Sequence, residues 1–347
     1  MTEQLAGLVI ADFSRVLAGP YATMLLADLG AEVVKVERPG PGDDTRSWGP
    51  PYAADGVSTY FHSVNRGKTS VRWDLKDPGD LAAARALALR ADVLVENFKP
   101  GTMDRLGLGY AALAAENPEL VYCSITGFGP NSDLPGYDLL VQAMGGLMSI
   151  TGPDPEHPTK VGVALVDVIT GLHAVYGILA AVHHRHRTGQ GQLVEVNLLS
   201  SLLSAMVNQS TGYVAAGVVP QAMGNDHPSI CPYGVYAAAD HPLVLAVGND
   251  GQFGALCSAL GLAALQVDPR FATNPARVEH RDALREALEA VLVTRSAQHW
   301  QELLIAVGVP CGPVNDIAGA FGFATNLGLN PITTPPASPT PLVSSPL

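Results

Sequence analysis

Residues 8–36 read LVIADFSRVLAGPYATMLLADLGAEVVKV. An apolar run rich in β-branched residues (LVIAD, 8–12) is followed by a turn, then by a stretch whose apolar residues recur at helical spacing over 20–29, then by a second β-rich run (EVVKV, 32–36). That pattern predicts strand, helix, strand. It continues outward, with β-rich runs at 71–75 (VRWDL), 91–96 (ADVLVE) and 120–125 (LVYCSI) and helical patterns over 78–90 and 103–116. Alternation of this kind predicts a doubly wound α/β domain with a largely parallel sheet. Ligands in such sheets bind beyond the carboxyl ends of the strands, so the loops after the strands carry the functional interest.

Further along, a helical pattern over 172–187 stops at Gly189, the run QLVEVN (192–197) follows, and a helix is expected over 198–213. A passage marked by Gly and Pro at 219–233 opens a smaller α+β domain, with strands expected at 235–238 and 243–247 and helices at 251–260, 281–291 and 297–306. The expected boundaries are 1–213 for the large domain, 214–234 for a linker, 235–316 for the small domain and 317–347 for a return segment. From 330 the chain is punctuated by Pro331, Pro335, Pro336, Pro339, Pro341 and Pro346, which predicts an extended strap.

A length of 347 residues, 47% of them hydrophobic and 15% charged, is ample for two cores. The net charge of −12 argues against a nucleic-acid partner, because phosphate contacts need clustered Lys and Arg. It does not exclude a phosphorylated ligand held by a few converging cations. Cys123, Cys231, Cys257 and Cys311 stand at neither metal nor redox-motif spacing, which points to a reduced, cytoplasmic setting. The first twenty residues lack a basic segment followed by a long apolar one, so no signal peptide is expected. Residues 161–182 are long enough to span a bilayer but include Asp167, which alone costs about 2.5–3.5 kcal/mol at a membrane centre. A buried core segment, with no membrane partner, is the expectation.

Asp167 is the single ionisable residue in 161–172, VGVALVDVITGL. Burial disfavours a charged carboxylate, so this one is neutralised, paired or used. It falls just before or inside the first turn of a helix, where free N–H groups and the helix dipole favour an anion. Two readings stay open at this point, a helix cap and a carboxylate nucleophile. Other motifs are weaker. Asn65-Arg66-Gly67-Lys68-Thr69-Ser70 ends like a phosphate-binding loop, but His62 stands where that pattern needs Gly. His183-His184-Arg185-His186-Arg187 fits a basic helix end better than a metal site. Neither a Gly-x-Ser-x-Gly elbow nor a dinucleotide fingerprint is present.

Several ordered blocks together resemble the class III coenzyme A transferases, a family that includes formyl-CoA transferase, carnitine CoA-transferases and α-methylacyl-CoA racemases. They are Phe13-Ser14-Arg15-Val16-Leu17-Ala18-Gly19-Pro20, Leu29-Gly30-Ala31-Glu32-Val33-Val34-Lys35-Val36-Glu37, Gly42-Asp43-Asp44-Thr45-Arg46 and Val95-Glu96-Asn97-Phe98. Pro100 to Gly107, Gly136-Tyr137-Asp138, Arg187 to Gly191 and Gly308 to Val314 agree in the same order.

The resemblance implies that Asp167 attacks an acyl-CoA. It also implies that Val16, Ala18, Arg38, Lys68, Asn97, Phe98 and Arg105 line a coenzyme A site in the large domain, with Arg38, Lys68 and Arg105 facing phosphates. Tyr137 and Gly224 fall near the substrate on the same basis. Coenzyme A is then a substrate, with no tightly bound cofactor and no metal. The partners implied are an acyl-CoA and a free carboxylic acid, and the assembly implied is an interlocked homodimer. Relatives continue beyond the region reached at 345–346, so the return segment is expected to be incomplete.

Where racemases of the family have His, this chain has Tyr137, and a phenol with a pKa near about 10 is a poor proton shuttle. CoA transfer is therefore expected ahead of racemisation or epimerisation, with a non-catalytic acyl-CoA-binding homologue as the remaining alternative. Leu17 stands where the formyl enzyme has Gln, and Met223-Gly224-Asn225-Asp226-His227-Pro228 where it has a glycine run. Both departures point toward larger dicarboxylic or carnitine-like acids.

Overall fold

The structure, a computed structural model, describes residues 3–334 and 340–346. Six strands, β1 (Val9–Asp12), β2 (Glu32–Glu37), β3 (Lys68–Arg72), β4 (Val93–Glu96), β5 (Val121–Thr126) and β6 (Leu193–Asn197), form one sheet in the order β3-β2-β1-β4-β5-β6 with every neighbouring pair parallel. The expected doubly wound α/β architecture is therefore present. The central strands read as continuous apolar runs because both faces are covered: Ile10, Ala11, Val93, Leu94 and Val95 are all fully buried.

Helices α1 (Ala18–Asp28), α2 (Thr59–Asn65), α3 (Pro78–Arg90), α4 (Thr102–Arg105), α5 (Tyr110–Ala114), α6 (Asp138–Met144), α7 (Leu165–Thr188), α8 (Leu198–Ala205) and α9 (Val207–Ala216) complete this part. The alternation along the strands assigns each side chain to one of two layers. Ile10, Val33, Val93 and Val95 pack with Ala22 and Leu26 of α1 and Ala174, Ile178 and Val182 of α7. Ala11, Val34 and Leu94 point the other way, toward Leu87 of α3, Met103 and Leu113. Each large aliphatic side chain so buried contributes about 1.5–3 kcal/mol. Helix α7 is long and apolar enough to cross a membrane by composition, but Ala174, Ile178 and Ala181 are fully buried against the sheet layer. It ends where expected, at Gly189 in the left-handed conformation.

Four expected elements differ, the first being α7, which begins at Leu165 rather than 172. The helix expected over 103–116 is split into α4 and α5, because Gly107 turns the chain at φ 70 and Gly109 precedes α5 in extended conformation. The helix expected over 198–213 breaks between α8 and α9, where Val207 has φ 39. The third strand begins at Lys68 rather than 71, because its register pairs Val33 with Lys68 and Glu37 with Arg72.

The chain divides into two compact units, the second comprising Ser149–Thr159 and Gln221–Leu329. In it, β7 (Tyr233–Tyr236), β8 (Leu243–Ala246) and β9 (Cys311–Pro313) form an antiparallel sheet. Helices α10 (Asp250–Ala259), α11 (Asn274–Glu279), α12 (Arg281–Leu292), α13 (Ala297–Ala306) and α14 (Ile317–Asn326) accompany it. Leu245, Leu256, Leu284, Leu288 and Leu304 form its fully buried core. This α+β unit is larger than the expected 235–316. It takes in 149–159, which is tied to it by the Gly224 N–H donating to the Gly152 carbonyl at 2.9 Å, and it takes in α14, which had been assigned to the return segment. In the strap, Ile332–Thr333 pairs antiparallel with Leu342–Val343, while Pro335, Pro336 and Pro339 lie outside the described residues.

Candidate active site

Strands β1 and β4 are neighbours in the sheet, at the point where the strand order reverses. The loops that leave their carboxyl ends are stapled together. Asn97 accepts the Arg15 N–H at 2.8 Å and donates its amide to the Arg15 carbonyl at 2.8 Å. Next to this staple Val16 adopts φ 68, a conformation unfavourable for a β-branched residue, and its N–H donates to Asp43 Oδ2 at 3.3 Å.

A sealed ionic cluster underlies the loop. Lys35 Nζ lies 3.0 Å from Asp43 Oδ2 and donates to the Ser14 carbonyl at 2.9 Å. Lys68 Nζ donates to Asp12 Oδ2 at 3.0 Å, to the Pro20 carbonyl at 2.8 Å and to Asn65 Oδ1 at 3.0 Å. Burial pushes the Asp12 carboxyl upward, but Lys68, Lys35 and the hydroxyls of Ser14 and Thr23 outweigh it and hold the group at about 2. Lys68 itself, pushed down by burial more than Asp12 restores, sits at about 8. Its ammonium is 1% exposed with its donors committed, so the expected phosphate contact from Lys68 is replaced by an internal structural role.

The loops after β1, β4 and β5 enclose a cavity of about 310 Å³. Val16, Ala18, Asn97, Phe98, Tyr137 and Asp167 all line it, together with Arg15 and Lys99. Asp167 is the third residue of α7 and half-buried. It is not the helix cap, a position held by Ala164 without a side-chain bond. The amides expected to stabilise it are engaged elsewhere: Asp138 Oδ1 accepts the N–H of Val166 at 2.9 Å and of Asp167 at 3.2 Å. Asp138 is held in turn by the Gln142 amide, which donates to its Oδ2 at 2.6 Å, while Gln142 Oε1 accepts the Val161 N–H at 2.9 Å. Among the described residues no donor reaches the Asp167 carboxylate. Burial, and after it the adjacent charge of Asp138, push Asp167 up to about 7.

Tyr60 of α2 faces the same acids. Burial and then Asp167 and Asp138 push its phenol up to about 12, and its ring stands edge-on to Trp48 at 5.4 Å between centroids. Neither Tyr60 nor Asp138 was singled out from the sequence. Asp138 belongs to the block Gly136-Tyr137-Asp138, but its partners are 28 and 29 residues away, beyond any local pattern.

A second cavity, of about 280 Å³, adjoins the first. Arg15 and Phe98 line both, with the Arg15 guanidinium 4.4 Å above the Phe98 ring. Arg38 and Arg105 line the second cavity, joined by Trp73 and Lys76. Arg38 donates to the Gly42 carbonyl at 3.0 Å and pairs with Asp44, and Arg105 donates to Thr102 Oγ1 at 3.0 Å. The loop between β5 and α6 closes the first cavity and is pinched at its base, where a Cβ added to Gly127 would stand 2.4 Å from Gly136 Cα. Gly224 belongs to the second unit, with φ 62 and its N–H bonded to Gly152, so that amide is not free for an oxyanion. Among the described residues no three His, Cys, Asp or Glu side chains cluster as metal ligands.

The model of CoA-transferase family III matches residues 5–334. The chain belongs to CoA-transferase family III. Among family relatives, the succinate–glutarate CoA-transferase of Agrobacterium fabrum is 44% identical, over 98% of this chain and 89% of its own. The acetyl-CoA:oxalate CoA-transferase of Acetobacter aceti is also 44% identical, over 90% of this chain and 81% of its own. The crystal structure of a CAIB/BAIF family protein from Brucella suis superposes with a TM-score of 0.89 at 42% identity, over 100% of this chain and 93% of that one. The resemblance read from the sequence blocks is thereby shown, and the protein is a family III CoA-transferase whose relatives are named for CoA transfer involving succinate, glutarate and oxalate.

Proposed function

We propose that this CoA-transferase works through covalent intermediates on Asp167. An oxygen of the Asp167 carboxylate attacks the thioester carbon of the donor, the C–S bond breaks, and CoA thiolate and a mixed anhydride result. The thiolate then attacks the aspartyl carbonyl of the anhydride, expelling the donor acid and leaving an aspartyl-CoA thioester. An incoming carboxylate reverses the two steps, so no proton is consumed and the thioester energy is kept. The observation that carries this reading is a half-buried carboxylate in the wall of the first cavity that accepts no hydrogen bond among the described residues.

The two adjoining cavities support an extended acyl-CoA, with the nucleotide end among Arg38, Trp73, Lys76 and Arg105 and the thioester beside Asp167. Helix α1 starts at Ala18 in the lining of the first cavity with no side-chain cap. In its first turn the N–H groups of Ala18 and Gly19 are candidate donors to the oxyanions, each typically worth about 3–4 kcal/mol, since Pro20 has none and Tyr21 donates to the Leu17 carbonyl. The acceptor is read as a dicarboxylic acid. The relatives' names include succinate, glutarate and oxalate, and Arg15 and Lys99 bring positive charge to the cavity of Asp167.

Leu172, Tyr176, Val207, Tyr213 and Val214 on α7 and α9 leave between 45% and 82% of their area exposed, which supports a homodimer of the interlocked type. A monomeric mass in solution would count against it. Four unpaired cysteines support a cytoplasmic setting.

The mechanism is tested with Asp167→Ala and by hydroxylamine trapping followed by mass spectrometry. Loss of transfer in the variant, together with a hydroxamate at Asp167 in the native enzyme, is expected. Near-native transfer by the variant, or a trapped adduct elsewhere, overturns the reading.

A further inference from the structure

A carboxylate in the first turn of a helix ordinarily draws on that helix's own amides. At the head of α7 they are taken by another acid. Asp138 Oδ1 accepts from Val166 and Asp167, and the buried Gln142 fixes Asp138 from behind while holding Val161, four residues ahead of α7.

We infer that Asp138 and Gln142 are positioning residues that occupy the first-turn amides of α7 and set a negative charge beside Asp167, so that the nucleophile rests in an unfavourable state relieved on acylation. The inference rests on Asp167 being the nucleophile. As the mixed anhydride or the CoA thioester, Asp167 carries no charge, and its repulsion with Asp138 disappears. The covalent states are thereby stabilised relative to the free enzyme. Binding energy spent on acyl-CoA need not supply that part.

The other titratable groups around Asp167 are Tyr60 on α2, Tyr137 at the head of α6, and Arg15, Asp44, Lys99 and Asp133 on the cavity wall. Tyr21 of α1 packs one turn further along α7, and His173 on α7 is bonded to Ser201 at 2.9 Å. After burial, the charge of Asp138 is what pushes the Asp167 carboxyl up, and Asp167 with Asp138 in turn pushes up the Tyr60 phenol.

Two variants test the pair by opposite shifts. Asp138→Asn keeps an acceptor for the amides but removes the charge, and the acid limb of kcat/KM for acyl-CoA should move down by about one pH unit. Gln142→Leu leaves the charge and withdraws the donor that spreads it, and the limb should move up. Steady-state aspartyl-CoA, trapped as the hydroxamate and counted by mass, should fall in Asp138→Asn. A folded variant of either kind whose limb stays at the native midpoint overturns the inference. If both variants fail to fold, the pair is architectural and the inference also falls. If the native hydroxamate does not form at Asp167, the failure belongs to the covalent mechanism and not to the pair.

Discussion

The ammonium of Lys68 lies 3.0 Å from Asp12 Oδ2, and both side chains are sealed from solvent beneath the loop that carries Val16. A cation that sequence blocks alone place on a phosphate is in this molecule a strut between β3 and the end of β1.

Lys68→Met should therefore act on stability first. Removing one partner of a buried pair leaves an uncompensated charge and costs about 3–5 kcal/mol. Urea denaturation measures this. A variant of native stability with a raised KM for acyl-CoA would show instead that Lys68 is a ligand.

Asp167→Asn should raise stability in a pH-dependent way. The folded carboxyl titrates at about 7, above its ordinary value, so the native state holds a proton that the unfolded chain releases between about pH 4 and 7. Native stability is lost as pH rises through that window. The variant should match the native protein near pH 4 and exceed it near pH 8, by as much as about 4 kcal/mol if no solvent reaches the carboxyl and less if it does. Melting curves at the two pH values check the difference, and equal gains at both would contradict it.

Under the proposed mechanism the same ionisation sets the acid limb of catalysis. For the native enzyme, kcat/KM for acyl-CoA should fall about tenfold per unit below pH 7, since the carboxylate form attacks. A profile flat from pH 5 to 7 would mean that Asp167 is not the group titrating.

Phe98→Ala removes the ring shared by the two cavities and the seat of the Arg15 guanidinium. Lost stacking and apolar contact of about 1–2 kcal/mol should raise KM for CoA substrates about five- to thirtyfold. Steady-state kinetics with kcat little changed would agree, and an unchanged KM would not.

Val16→Gly relieves a backbone conformation that costs a β-branched residue about 1–3 kcal/mol, against about 1 kcal/mol of added chain freedom in the unfolded state. Stability should hold or rise slightly while kcat/KM falls, because a loop lining the cavity loosens. A fall in both would assign Val16 to packing instead.

The layered sheet was legible because its strands are buried on both faces and written as uninterrupted apolar runs, as at Val93, Leu94 and Val95. The start of β3 was not, since Trp73 and Leu75 look more strand-like than Lys68, and only pairing with β2 sets the register. The place of Asp167 on the cavity wall could be anticipated because a lone acid in an apolar stretch stands out. Asp138 was hidden, because its importance comes from a helix that begins 27 residues later at Leu165. Lys68 misled for the same reason: only the topology tells that its side chain turns inward.

The contact between Gly127 and Gly136 ties off the β5–α6 connection like the neck of a lasso. What is strung between them supplies Ser132, Asp133, Leu134 and Pro135 to the cavity wall, so under the proposed function residues 128–135 are the ground on which acid preference could be diversified by design.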